Sequence, residues 1–283
     1  MNTRKVEEQF FKTLMIIATL IIISTLGVIL LTVIMKGLPA LSLSMITQTP
    51  KGGYYLGKEG GILNAIIGSL YLAGGATVLA ILISLPIVMY FNIYAPKKSL
   101  FVSACRFSLD VLWGVPSIVF GAFGFTIMLF FGLRASLLGG IIAVALLVLP
   151  VMSRAMDEVV KMIPRDLLEA SFSLGATRLQ TAAKVVVRQA LPGILTAVLV
   201  AFGRGIGDAA SVIFTAGFTD SIPTSILRPA ATLPLAIFFQ LGTPFPEVQD
   251  RAYASALVLT AVILIISILS RVLAKSFTKH VVK

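Results

Sequence analysis

The chain has 283 residues, of which 58% are hydrophobic and 12% charged, and a formal net charge of +11. An ordinary soluble domain has roughly a quarter of its residues charged, so the composition excludes a soluble globular fold and points to a polytopic membrane protein. The basic excess is not a nucleic-acid surface, because it is dispersed over the connections between apolar runs.

Uncharged apolar runs of about 20 residues, the length that crosses the hydrocarbon core, fall at 14–35, 62–91, 111–133, 135–153, 191–217 and 252–270. They predict an all-α fold of six transmembrane helices, a single helical-bundle domain over 1–283 with its core at 60–275. The first run follows a charged segment but exceeds a signal-peptide core and lacks a small-residue cleavage site, so it reads as a retained anchor.

With the N-terminus placed in the cytoplasm, sixteen basic residues fall inside. They are Arg4, Lys5, Lys12, Lys97, Lys98, Arg106, Arg154, Lys161, Arg165, Arg178, Lys184, Arg188, Arg271, Lys275, Lys279 and Lys283. Six fall outside: Lys36, Lys51, Lys58, Arg134, Arg228 and Arg251. The positive-inside rule therefore puts both termini in the cytoplasm.

Along the chain, the external stretch 37–61 is rich in Gly and Ser and predicts irregular structure or a short surface helix. Within it Gly52, Gly57 and Lys58 imitate the start of a phosphate-cradling loop, but Glu59 stands where a magnesium-binding hydroxyl is required and no strand precedes it. Cys105, the only cysteine, excludes an intramolecular disulfide and reads as a small buried hydrophobe. Asp110 is placed to cap the third helix from its cytoplasmic edge. The lone histidine, His280, leaves no metal site of the usual kind, and neither a cofactor nor a catalytic constellation is expected.

The cytoplasmic connection 153–190 differs from a plain linker. Pro164 and Asp166 mark a helix start. Leu167, Leu168, Phe172, Leu174 and, beyond Gly175, Leu179 read as two short amphipathic helices hinged at a glycine, with an apolar face that has no partner in this chain. Either it docks on another protein or it lies on the membrane surface. On the external side, 218–251 carries five prolines around the patch LPLAIFF, too short to span and so expected as a re-entrant or interfacial helix.

The fifth run contains Arg204 and Asp208. Its ten strongly apolar residues from Ile194 to Phe214 favour insertion by roughly 3 to 6 kcal/mol, while an Arg and an Asp near the centre oppose it by roughly 5 to 7 kcal/mol. The two charges are therefore expected to face protein or a water-filled route. Gly203, Gly205 and Gly207 permit close helix approach or local unwinding. The pair either meets across one helical turn or finds opposite charges on a second subunit.

The block EASFSLGATRLQTAAKVVV (169–187) resembles the cytoplasmic loop of permease subunits in binding-protein-dependent ABC importers, in which Glu-Ala-Ala is followed, after three intervening residues, by Gly. Here those positions are Glu169, Ala170, Ser171 and Gly175; the later proline of the family pattern is displaced to Pro192. The further blocks at 60–72, 110–125, 149–177 and 203–217 are similar to the permeases of phosphate-specific importers.

This resemblance implies a sister permease, two ATPase subunits in the cytoplasm, an extracytoplasmic phosphate-binding protein, and phosphate as cargo, with ATP hydrolysis outside this chain. It also implies that Leu167, Leu168, Glu169, Ala170, Phe172, Gly175, Ala176 and Thr177 form the element that couples to the ATPase, and that Arg204 and Asp208 line the translocation path. Arg suits a phosphate oxyanion because its planar fork gives two parallel charge-assisted bonds at any relevant pH. The family has Glu where this chain has Asp208, one methylene shorter. Two alternatives stand: another oxyanion as cargo, or a self-sufficient anion transporter, which would not need the coupling loop.

Overall fold

The computed structural model describes residues 3–51, 59–96 and 98–277. Gly52, Gly57, Lys58, Lys97, Lys279, His280 and Lys283 lie outside them. The described chain is almost wholly helical; the only strand pairing there is a two-residue antiparallel contact of β1 (Pro50–Lys51) with β2 (Glu59–Gly60).

Five helical stretches are long and apolar enough to cross a membrane. The first is α1 (Thr3–Ala40), apolar on every side and outside the main bundle. It closes on the last helix near its end, where a Cβ on Gly37 would lie 2.6 Å from the Tyr253 carbonyl oxygen. After a short helix α2 (Leu43–Thr47), α3 (Leu63–Met89) runs into a π-helical turn at Tyr90–Tyr94.

The third span departs from the sequence expectation. A single helix at 111–133 is replaced by α4 (Leu100–Trp113) and α5 (Ser117–Phe130), bent by 104° at the intervening Gly114 to Pro116. Proline at position 116 removes a backbone donor and disfavours helical geometry in the residue before it, so the helix stops there. Asp110 consequently lies inside α4 and caps nothing; Pro116 occupies the N-cap of α5.

The helix α6 (Leu137–Lys161) is the centre of the bundle: Gly140 meets Leu72 of α3, Val144 and Val148 share one core with Leu72, Ala76 and Ala80 of that helix, and Ala143 faces Gly124 of α5. Small residues let the two backbones approach, the usual solution where lipid removes any hydrophobic drive for helix association. A buried hydroxyl pair, Ser84 and Ser153 at 2.9 Å, joins the same two helices.

Beyond α6 come α7 (Arg165–Ser173), α8 (Arg178–Gln180), a π-helical segment Thr181–Val186 and α9 (Val187–Ile206), the last three forming one continuous span. The fifth span therefore starts and ends earlier than 191–217. The short helix α10 (Leu233–Leu241) bears out the non-spanning reading of LPLAIFF, its Leu233, Leu235 and Ala236 being buried. At nine residues it is about 14 Å long. The chain ends with α11 (Pro246–Phe277). Cys105 is half-buried against Phe91, Val102 and Leu109.

Candidate functional site

The helix carrying Arg204 stops two residues later, with Gly207 at its C-cap. Three alternating glycines lower helix propensity by roughly 1 kcal/mol each, so the end of α9 is where an apolar span gives way to irregular backbone. Asp208 then begins a helical turn. Its carboxylate accepts hydrogen bonds from the Ser211 backbone N–H at 2.8 Å and from the Ser211 hydroxyl, and Ile213 and Ala216 donate to Ala209 and Val212 at 3.1 and 3.0 Å.

An i, i+4 ion pair along one helix is therefore not formed. Arg204 is exposed on the surface of the single chain and has no hydrogen bond or ion pair among the described residues. Its depth is given by Gly205, whose Cβ position meets Val144 and Val148 near the middle of α6. A free guanidinium at that level faces either a second protein or water, because lipid would leave its five donors unsatisfied.

The turn after Asp208 packs on the other interrupted span. A Cβ on Gly121 of α5 would come within 2.7 Å of the Ser211 carbonyl oxygen and 3.0 Å of that of Ala210. Two broken helices thus touch near the middle of the bundle, the arrangement that lines substrate routes in transporters. Gly121 stood in the sequence, but only the fold brings it against Ala210 and Ser211.

At the far end of α6, the loop of Leu167 to Thr177 is built as a helix, a left-handed glycine and a capped restart. Gly175 has φ +78°, its N–H donates to Phe172 at 2.9 Å, and the Ala176 N–H donates to Ser171 at 3.2 Å. This pattern satisfies the last carbonyls of α7 and requires a residue without Cβ strain. Thr177 accepts from the Gln180 N–H while the Gln180 side chain accepts from the Thr177 N–H, a reciprocal cap that starts the fifth span.

The apolar face of this loop is redistributed from the expectation. Leu168 packs inward on the main core and Leu167 is half-buried. Phe172 is partly exposed and lines, with Leu168, Glu169, Asn92 and Lys161, a cavity of about 290 Å³ under the loop. Glu169 and Ala170 are exposed and Ala176 half-buried. Leu174 and Leu179 of the expected face do point outward, 90% and 69% exposed, joined by Met162 at 82%. The second predicted amphipathic helix is the first turn of α8–α9 and has no separate existence.

An ionic cluster stands at the base of this loop, at the end of α6, and sequence reading missed it. Asp157, on α6, has a side chain only 2% exposed; Arg106 reaches it twice, at 2.9 and 3.0 Å, Asn92 at 2.8 Å and Lys161 at 2.8 Å. Arg154 adds Asp110 at 2.6 Å, Asp157 at 3.3 Å and Glu158 at 3.4 Å. The guanidinium of Arg106 also lies over the Phe91 ring at 5.4 Å. Arg178 donates to the Tyr94 carbonyl at 3.1 Å, and the Ser171 and Thr181 hydroxyls meet at 2.9 Å. The members of the ionic cluster come from the Tyr90–Tyr94 turn, α4 and α6, far apart in sequence; only the i, i+3 and i, i+4 spacing of Arg154, Asp157, Glu158 and Lys161 hinted at them.

Interrupted spans meeting at mid-bundle, a lone arginine beside them, and an exposed hinged loop at one end together define a polytopic helical transport component. The profile of the binding-protein-dependent transport system inner membrane component family matches residues 93–283, and the chain belongs to that family.

Among its relatives, the phosphate transport system permease protein PstA of Haemophilus influenzae is 33% identical over 269 residues, covering 95% of this chain and 94% of that one. PstA of Yersinia pestis is 34% identical over 245 residues, covering 87% and 82%. In fold the chain is similar to an inward-facing MetNI methionine ABC transporter, with a TM-score of 0.62 at 18% identity over 76% of this chain and 95% of that chain. A bacterial ABC transporter that imports the acidic polysaccharide alginate gives 0.55 at 15% identity over 91% and 95%. The chain is a multi-pass inner-membrane transporter permease by family and by its spans.

Proposed function

We propose that this chain is the PstA-type permease subunit of an ATP-driven importer of inorganic phosphate, working as one transmembrane unit beside a sister permease. The carrying observation is Arg204, a free guanidinium at the end of a broken helix, half-way through the bundle and turned away from the chain's own core. The similarity to phosphate permeases over nearly the full chain supports phosphate as the anion.

In this reading Arg204 meets the transient phosphate with two parallel charge-assisted bonds. Asp208 acts twice over, capping the turn through Ser211 and, by its negative charge, keeping phosphate from settling too firmly to leave. The site lies where two broken helices touch, so a small shift of α5 against the 208–216 turn opens or closes the route without unfolding either span.

The loop Leu167 to Thr177 docks on a cytoplasmic ATPase, presenting Leu174, Leu179 and Phe172. Leu168, packed on the main core, and the Ser171–Thr181 hydroxyl contact hold the loop to the bundle, while the ion cluster at the end of α6 stiffens its base, so that movement of the ATPase reaches the bundle as a rigid displacement. Both termini lie in the cytoplasm in keeping with the positive-inside count, and an extracytoplasmic binding protein delivers phosphate from the other side. The deciding experiment is phosphate uptake by the assembled complex in vesicles with ATP inside: Arg204→Ala abolishes uptake while the complex still assembles. Unchanged uptake would remove Arg204 from the path.

A further inference from the structure

A second basic site lies away from the route. Ser99, Ser103, Arg106, Lys161 and Arg165, with Asn92, enclose a polar cavity of about 240 Å³ between α4, the end of α6 and the start of α7. The cations there are unequally matched. Arg106 and Lys161 are engaged by Asp157, and Lys161 also by Glu158 at 2.9 Å. Arg165 has no ion pair or hydrogen bond among the described residues, Asp166 and Glu169 on its own helix included. The Ser103 hydroxyl is likewise without a partner there, and Ser99 accepts from Val102 while keeping its own O–H to donate. The cavity thus offers one uncompensated positive charge and several free donors, a set complementary to a phosphate oxyanion.

The neighbouring surface says where that oxyanion comes from. Residues 99, 103, 106 and 110 fall on one side of α4 at helical spacing, while Phe101, Cys105 and Leu109 line an apolar groove of about 540 Å³ with Pro86, Ile87 and Tyr90. Phe91 borders both the polar cavity and the groove. Phe101, which lines the groove, and its chain neighbour Leu100 are exposed hydrophobes on a membrane-spanning protein and so face acyl chains.

We propose that this paired cavity binds one anionic phospholipid, its phosphodiester held by Arg165, Ser99 and Ser103 and one acyl chain lying in the Phe91, Phe101 and Cys105 groove. Basic pockets between transmembrane helices at the cytoplasmic surface recognise such head groups. The leaflet rests on the topology proposed above; binding itself does not, nor does it depend on what the importer carries. A lipid seated there wedges the base of the ATPase-facing loop against α4.

The test is native mass spectrometry of the assembled complex released from nanodiscs containing equal parts phosphatidylglycerol and phosphatidylcholine. Wild type retains phosphatidylglycerol in preference, and Arg165→Gln lowers that preference about fivefold, the effect of one basic contact near the surface. Arg165 has no hydrogen bond or ion pair to lose among the described residues and is exposed, so the variant folds; Ser103→Ala gives a second, smaller drop. Equal retention by wild type and Arg165→Gln overturns the site. Loss of the bound lipid on adding excess inorganic phosphate overturns the lipid assignment and makes this a free-anion site.

Discussion

Asp208 accepts a 2.8 Å hydrogen bond from the backbone of Ser211 and makes no ion pair with Arg204, four residues before it. The two charges are thereby divided between two structures: Arg204 closes a helix, where a cation is favoured by the C-terminal dipole, and Asp208 opens the next turn, where an anion is favoured.

Replacing Asp208 separates its capping role from its charge. Asp208→Ala removes the cap and destabilises the complex by about 1 kcal/mol, seen as a lower melting midpoint in a detergent thermal-shift assay. Asp208→Asn keeps the acceptor oxygen and the stability. If Asp208→Asn also keeps full phosphate uptake, the carboxylate charge has no part in transport.

For Arg204 the conservative variant carries the information. Arg204→Lys retains charge and loses the fork, so uptake is expected to fall at least tenfold, about 1.4 kcal/mol, and Arg204→Ala to stop it. Equal uptake by Arg204→Lys and wild type would mean that a point charge suffices.

Gly121 tests the contact between the broken spans. A valine there brings Cβ to 2.7 Å from the Ser211 carbonyl oxygen, and backbone must move to admit it. Overpacking of this kind costs about 1 to 3 kcal/mol. Transport is expected to drop more than assembly does, measured as uptake per copy of purified complex; a variant with normal uptake would show that the two segments need not touch.

At the loop, Gly175 sits at φ +78° with open space around it, so a valine strains only its own backbone, by roughly 1 to 2 kcal/mol. Gly175→Val is expected to leave the bundle folded and to weaken ATPase co-purification. Leu174→Asp tests the same surface without backbone strain, since that side chain is nine-tenths exposed. Normal co-purification and ATPase stimulation in both variants would refute docking.

Asp157→Ala strips the buried anion from Arg106 and Lys161. Breaking a buried pair on one side destabilises by about 3 to 5 kcal/mol, and because these cations are 27% and 35% exposed the lower end is expected. A thermal midpoint within a degree of wild type would show that the cluster adds nothing to the fold.

What could be read along the chain follows from transfer energies that act on each segment separately. Runs near Ile16, Leu72, Leu147, Leu199 and Leu264 declare spans because burying about 20 apolar residues in hydrocarbon outweighs any tertiary detail. The hinge of the 167–177 loop was legible for a related reason: the turn at Gly175 is a local backbone device with a local signature. Asp110 and Leu168 were misread because their roles depend on neighbours. The bend at Pro116 redirected α4 along α6, giving Asp110 an arginine in place of a helix end, and the packing of α7 turned Leu168 inward.

The number of apolar spans, the charge bias between their connections and the hinge of the loop were set by the sequence alone, since each is an energy of one segment against water or lipid. Tertiary structure decided where the fifth span ends, that Arg204 and Asp208 stand apart, and that Asp157 gathers its cations. Those outcomes are interactions between segments up to a hundred residues apart, whose strength depends on distance and burial that no linear pattern contains.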